Sequence, residues 1–368
     1  MSVDYQTRQA ALRQIPVDAV AIVPGANLFY FTGLNYHTSE RPIVALFTPD
    51  GEFSIIVPQL EAPQLQNRPE LAARIFSWSD TEGYQNAFAE AVRALGLDQA
   101  GKTLGVDGLT MRVTEWLAFQ AVAPDLQVKA VEKDLVHIRA IKQGDEVALM
   151  RQAVEVAEKA LAQLLHEVEP GMTEREIAQR LNDLMSNYGS EEPAFGTLVQ
   201  TGPNSAIPHG NVSDRPLEEN DFLLIDFGAK VAGYPSDITR TFCLGTPTAE
   251  MQKIYETVLA ANTAAREATR PGVSMGAIDK AARDVIEAAG YGEYFIHRTG
   301  HGLGLDVHEP IPQIASGVAD LLEPGMAFTI EPGIYVPGLG GVRIEDNMLV
   351  TQDGAEVLTS FPRNLTSR

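Results

Sequence analysis

Residues 223–242 read LLIDFGAKVAGYPSDITRTF, and residues 328–346 read FTIEPGIYVPGLGGVRIED. In each stretch β-branched and aromatic residues flank a Gly-containing turn, which predicts a β-hairpin. Each hairpin carries a pair of carboxylates: Asp226 with Asp237 in the first, Glu331 with Glu345 in the second. Asp226 faces Asp237 if Lys230 and Gly233 close a two-residue loop, and Glu331 faces Glu345 if Val336 and Gly340 close a three-residue one. Directly opposed residues share one face, with Cβ atoms about 4.5–5.5 Å apart. Like charges held that close need cations between them or must take up protons. A solvated edge hairpin is the plainer explanation for either pair alone. The neighbours weigh against it: Leu224, Ile225 and Phe227 surround Asp226, and Phe328 and Ile330 precede Glu331, so the acids sit in apolar strands where lone charges are costly. A metal centre is the expectation.

Working outward, the C-terminal part of the chain repeats itself. PGMTEREIAQRL begins at Pro170 and PGVSMGAIDKAA at Pro271. Each reads as a helix start with Thr173 or Ser274 as N-cap, and Glu176 completes a capping box in the first copy. Further on, LEENDFLLIDFG from Leu217 matches LEPGMAFTIEPG from Leu322, a register that places Asp226 on Glu331. The offsets, 101 residues for the helix starts and 105 for the strands, differ only by a short indel. Each half therefore reads as helix, helix, then carboxylate hairpin, the pattern of an internal duplication. Folded as a pseudo-symmetric pair, the halves would bring their carboxylates to one place.

The chain has 368 residues, 45% apolar and 21% charged, which suits a soluble globular protein of two domains. A formal charge of −21 disfavours nucleic acid or an anionic membrane as partner, since both reward clustered Lys and Arg. MSVDYQTRQAALRQIP at the N-terminus lacks the apolar core of a signal peptide, and no stretch approaches membrane-spanning length, so a cytoplasmic protein is expected. Cys243 is the only cysteine, which excludes an internal disulfide and a thiolate metal cluster and leaves it as a buried filler. Residues 1–138 read as an α/β domain: PIVALFTPDGEFSIIVPQ predicts a hairpin closed at Pro49-Asp50-Gly51, and TEGYQNAFAEAVRALGL a helix with Phe88, Ala91, Val92 and Leu95 inward. A long helix starts near Asp145, which places the second domain at 139–368.

Of seven histidines, His297, His301 and His308 fall within HRTGHGLGLDVHEP and His209 within GPNSAIPHGN. Gly300, Gly302 and Gly304 suit a close backbone approach around His301. Neutral imidazole is a common metal ligand, but spacing does not say which of His297, His301 and His308 would bind, because HExxH and HxH patterns are absent. His37, His137 and His166 have no comparable setting. Four oxygen donors with few nitrogens favour Mn, Co, Zn or Fe over copper or an iron–sulfur cluster. Two ions about 3.5–4 Å apart would neutralise the carboxylates, and metal-assisted hydrolysis is the natural reaction class.

Together, Asp226, Asp237, His301, Glu331 and Glu345, set in LEENDFLLIDFG, GPNSAIPHG, HRTGHGLGLDVHEP and EPGIYVPGLGGVRIED, resemble the pita-bread metallopeptidases, specifically the Xaa-Pro branch containing prolidase and aminopeptidase P. The resemblance covers roughly the whole chain. It implies an α/β creatinase-like N-terminal domain followed by an α+β pita-bread domain with an internal pseudo-twofold repeat. It further implies that His301 binds one metal, Asp226 chelates the other, and Asp237 and Glu345 bridge them. Glu331 would ligate and act as general acid/base, and His209 and His308 would bind the scissile carbonyl or the tetrahedral intermediate. His297 would line the pocket for the residue after the cut. Arg343, two positions from Glu345 on the same strand face, would orient that ligand. Two divalent ions are expected, manganese first with cobalt or zinc as alternatives, in a homodimer.

The resemblance implies cleavage on the N-terminal side of proline in dipeptides or short peptides. A strict dipeptidase must recognise the proline carboxylate, most economically with an Arg fork. Many prolidases carry an Arg shortly after the VHE motif, whereas HEPIPQIASG has Gln313 nearest that place. His37 and Arg41, in LNYHTSERPIV, offer a replacement clamp on a loop, so His297, Arg343, His37 and Arg41 make up the candidate substrate-binding set. A dipeptidase is the first expectation and an aminopeptidase P acting on longer peptides the alternative. Methionine aminopeptidases lack the added N-terminal domain, creatinase works without metals, and a non-catalytic binding module on this fold would typically have lost ligands that are all present here.

Overall fold

The computed structural model describes residues 4–365, and the chain divides into two compact units, Met1–Arg139 and Ala140–Arg368. The first is built on a six-stranded sheet. In spatial order its strands are Arg74–Trp78, Phe53–Pro58, Val44–Phe47, Ala19–Ile22, Thr103–Val106 and Gln127–Ala130. Ala19–Ile22 pairs antiparallel with Val44–Phe47 and parallel with Thr103–Val106, and the first two of these strands are buried along their whole length, as sheets covered on both faces require. The hairpin read at Pro49-Asp50-Gly51 pairs Phe47 with Phe53. The amphipathic helix Gln85–Ala94 buries Ala87, Phe88, Ala91 and Val92, with the Phe88 ring edge-on to Phe119 of the helix Val113–Val122.

The second unit opens with the helix Gly144–Glu167, capped by a Gln143/Glu146 capping box, and then runs twice through one pattern. Helix Glu174–Asn187 precedes the sheet strands Leu198–Thr201, Phe222–Phe227 and Ile238–Cys243. Helices Ala249–Ala268 and Met275–Ala288 precede a five-stranded sheet, ordered Glu309–Ile314, Gly300–Gly302, Ala327–Ile330, Asp346–Val350 and Ala355–Val357. The repeat is visible in the backbone. Gly171 N–H donates to Leu217 O and Leu217 N–H to Met172 O, both at 2.8 Å, while Gly272 donates to Leu322 O and Leu322 to Val273 O at 2.8 and 2.9 Å. The same latch thus ties each helix start to the strand that leads into its carboxylate. One apolar core packs the first helices against Leu223, Ile225 and Phe227, and another packs the second pair against Phe328 and Ile330. No described helix is long and apolar enough to cross a membrane. Cys243 is buried on the strand Ile238–Cys243.

The register of the first hairpin differs from its sequence reading. Val231 pairs with Tyr234 and Asp226 with Thr239, so the turn residues are Ala232 and Gly233, and Asp226 and Asp237 lie diagonally rather than face to face. Both turn residues have positive φ, 47° and 84°, as a two-residue hairpin turn of matching twist demands. A two-place diagonal preserves the shared face, so both carboxylates still point the same way. In the second hairpin Val336 pairs with Gly340, closing the three-residue loop as read, and Glu331 and Glu345 continue that register just beyond its ends.

Candidate metal centre

Five side chains reach one cavity of about 460 Å³ in the second unit: Asp226, Asp237, His301, Glu331 and Glu345. Each stands at or beside a strand. Asp226 lies within Phe222–Phe227, Asp237 just ahead of Ile238–Cys243, and His301 in the middle of Gly300–Gly302. Glu331 directly follows Ala327–Ile330, and Glu345 lies between Gly340–Arg343 and Asp346–Val350. The glycines beside His301 are a steric necessity: a Cβ at Gly300 would sit 1.8 Å from Thr329 O, and one at Gly302 2.4 Å from Ile311 O. Only His301 in this strand has room for a side chain, on the cavity side.

Buried polar groups then fix the acids. Asn347 accepts the Asp237 N–H at its Oδ1, 3.2 Å away, and donates Nδ2–H to Asp237 O, bonding both backbone groups as a neighbouring strand would. Thr239 Oγ1 donates to Glu345 Oε2 at 2.7 Å, and the Glu345 N–H donates to Thr239 O at 3.0 Å. Arg240, fully buried, donates to Thr239 O and Glu345 O and to Asp346 Oδ1 at 2.9 Å. Residues of the first half therefore hold a ligand of the second.

Arg343 departs from its sequence reading. Its Nη2 donates to Asp226 Oδ2 at 2.6 Å and its Nε to Thr239 Oγ1 at 3.1 Å, so its ion pair goes to Asp226 and not to Glu345. The reason is the pleat: Arg343 projects toward the Asp226 strand, where a buried carboxylate gives its charge a partner. Its Nη1 donates to the Tyr335 hydroxyl at 2.8 Å, leaving the phenol proton for His297 Nε2, also 2.8 Å away. His297 then carries its own proton on Nδ1, bonded to Arg298 O at 2.7 Å. Burial holds His297 neutral, with its pKa lowered to about 4. Both its ring nitrogens are engaged, so His297 forms wall rather than a free arm. His308 packs edge-on to His301, ring centres 4.2 Å apart, and exposed His209 stands at the rim.

The donor set fits divalent metal. The His301 pKa is lowered to about 3, by burial first and by His308 second, so the ring is neutral. With Nδ1–H on Gly302 O at 3.1 Å, its Nε2 lone pair faces Asp237 Oδ2 and Glu331 Oε1, each 3.5 Å away. Donor atoms of Asp237, His301 and Glu345 all lie within 4.8 Å of one another. Among the described residues Asp226 Oδ1 is buried without a hydrogen-bond partner. Oxygen and nitrogen donors converging in this way are what a cation would join. In the metal-free chain burial, then mutual repulsion, raises Asp237 and Glu345 well above the carboxylate range, and burial brings Glu331 up to about 7.

The remaining sequence candidates lie elsewhere. His37 and Arg41 line a separate cavity of about 410 Å³ in the first unit. Arg41 is forked onto Asp80, with bonds of 2.9 and 2.8 Å, and gives its remaining terminal nitrogen to Glu40 at 2.7 Å. Gln313 is exposed and does not line the metal cavity. Tyr335, Asn347 and Arg298 were missed from sequence. Arg298 had a readable signal, being the one cation inside the histidine-rich stretch and adjacent to His297.

Comparison with known proteins agrees with this geometry. Residues 148–352 match the model of metallopeptidase family M24, and residues 6–141 that of the creatinase/prolidase N-terminal domain. The chain belongs to metallopeptidase family M24 and is a hydrolase of that family. Among its relatives, a Xaa-Pro dipeptidase of Pyrococcus furiosus is 37% identical over 349 residues, 95% of each chain. A crystal structure of prolidase from Thermococcus sibiricus superposes with a TM-score of 0.92 at 35% identity, covering 100% of both chains. An X-Pro aminopeptidase from Thermotoga maritima gives 0.87 at 30% identity over 97% of this chain and 99% of its own.

Proposed function

We propose that this chain hydrolyses the Xaa-Pro bond on the N-terminal side of proline, acting as a dipeptidase with two divalent metal ions, manganese foremost, in a cytoplasmic homodimer. The observation that carries the reading is the convergence of His301 Nε2 with carboxylate oxygens of both halves in one cavity. Asp226, Asp237, His301, Glu331 and Glu345 would hold the ions. When bound, such a pair supplies Lewis acidity and a reactive water at neutral pH.

The protein's own groups would do the rest. The one hydrogen bond to the Glu331 carboxylate among the described residues is a long one, 3.5 Å from Thr329 Oγ1, so no strong donor competes for the proton it would take from the attacking water. It returns that proton to the proline nitrogen as the C–N bond breaks, turning a poor leaving group into an amine. His308 and His209, as N–H donors on the cavity wall, would stabilise the developing oxyanion. Arg343 and Tyr335 keep Asp226 and His297 in place. The bond's specificity follows from proline itself, whose amide nitrogen bears no hydrogen and whose ring fixes the backbone.

The exposed position of Gln313 supports a second reading, an aminopeptidase acting on longer peptides, because no Arg stands there to meet a free carboxylate. The deciding assay supplies Mn²⁺ or Co²⁺ and compares Leu-Pro, Leu-Pro-Gly and Met-Ala-Gly. Leu-Pro should be cleaved fastest. Preference for the tripeptide would favour the second reading, and no cleavage of any of them would overturn both.

A further inference from the structure

We propose that Arg298 is the residue with which the metal cavity recognises a carboxylate of its substrate. The inference rests on the peptidase reading above. Three arginines near candidate sites already have their guanidinium groups committed. Arg343 is bonded to Asp226, Tyr335 and Thr239, Arg41 is forked onto Asp80, and Arg283 is paired with Asp279 and bonded to the carbonyls of Phe295 and His297. Arg298 differs. It lines the cavity, and its side chain makes no hydrogen bond, ion pair or ring contact among the described residues. Its charge acts on His301, His308 and Glu331, which puts the guanidinium within electrostatic reach of the groups assigned above to metal, oxyanion and proton transfer.

A half-buried cation without a partner is costly to keep, and here the backbone beneath it is held rigidly. Arg283 Nη2 donates to His297 O at 3.0 Å, His297 Nδ1–H to Arg298 O at 2.7 Å, and Thr299 N–H to Asp279 Oδ1 at 3.1 Å. A fixed stem with a free five-donor fork suits a planar carboxylate, which it can bind through two parallel bonds. That carboxylate has two sources in an Xaa-Pro dipeptide: the C-terminus of proline, or an acidic side chain on the first residue. The first would supply the dipeptide recognition that Gln313 cannot.

The test uses the full-length, metal-loaded protein and the variants Arg298→Met and Arg298→Lys. Two ratios of kcat/KM are measured, Leu-Pro over Leu-Pro-amide and Asp-Pro over Asn-Pro. In Arg298→Met one ratio should fall roughly 10- to 100-fold, mainly through KM, and Arg298→Lys should restore part of it, because a charge-assisted bond is lost and then half replaced. A fall in the first ratio identifies the C-terminus, and a fall in the second the acidic side chain. Both ratios staying within about twofold of wild type, whatever the overall rate, would overturn the proposal. Calorimetric binding of L-proline against L-prolinamide, and L-aspartate against L-asparagine, reads the same contact without turnover. If wild type cleaves no Xaa-Pro peptide the peptidase reading fails, and these binding ratios still decide the role of Arg298.

Discussion

Asp237 carries its carboxylate on a backbone that Asn347 bonds at both its N–H and its C=O. Neither Asn347 nor Thr239 would touch a metal, yet they fix the line along which Asp237 and Glu345 point. Groups that orient ligands in this way typically govern 10–100-fold in metal affinity or activity. Asp237→Ala should therefore abolish activity together with binding of at least one ion, whereas Asn347→Leu, which keeps every ligand, should weaken metal affinity by about 10- to 100-fold. Metal content after dialysis and a manganese titration of each variant check this pair. An Asn347→Leu protein that binds manganese like wild type would show that the grip on Asp237 is dispensable. The chemistry-bearing residues were readable because carboxylates inside apolar strands are conspicuous. Asn347 and Tyr335 were not, since an amide or a phenol in a strand looks like any other polar residue until the fold supplies its partner. Arg343 was placed on the correct face but given the wrong partner, because a same-face argument counts along one strand and cannot see the strand packed across from it.

Among elements, the duplicated helix starts are similar in sequence and unequal in bonding. Thr173 accepts from Glu176 N–H at 3.2 Å, and Glu176 reaches back to Thr173 N–H at 2.8 Å, so the box read from sequence is complete. Ser274 makes no side-chain cap bond, and Ala277 stands where the box would need its acid. Thr173→Ala should cost about 1 kcal/mol, and Ser274→Ala only a few tenths, measured by urea unfolding. Equal losses would mean that the caps act through something other than these bonds. The same unevenness explains what was legible in the hairpins. The three-residue loop at Pro337–Leu339 is bracketed by Val336 and Gly340, and its register followed directly. The loop at Ala232-Gly233 was misplaced by one position because it puts alanine at φ 47°, a conformation that residues with a Cβ seldom adopt. The slip left the site intact, since moving both strands by one place each changes the partner and not the face.

For the whole molecule, the decisive quantity is the charge enclosed in the second unit. Asp237, Glu331 and Glu345 have pKa values raised in the metal-free fold, chiefly by burial, Glu331 to about 7. An acid whose folded pKa exceeds its unfolded one binds more protons folded than unfolded between those two values. These three acids therefore contribute stability that is fully present below about pH 4 and is lost as pH rises, in the case of Glu331 through about 7. Bound metal reverses the sign, because ligands must be ionised to coordinate and the cation then stabilises what repulsion destabilised. The metal-loaded and chelator-stripped proteins should consequently differ little in thermal midpoint near pH 5 and increasingly above it. With manganese about 100-fold above its dissociation constant, the gap near neutral pH should reach roughly 5–10 °C for a unit of this size. Thermal melts across that pH range, with and without chelator, measure it directly. A gap that stayed constant with pH would mean that the carboxylates are already ionised without metal, held by Arg343 and the hydrogen bonds around them, and that their convergence does not by itself demand cations.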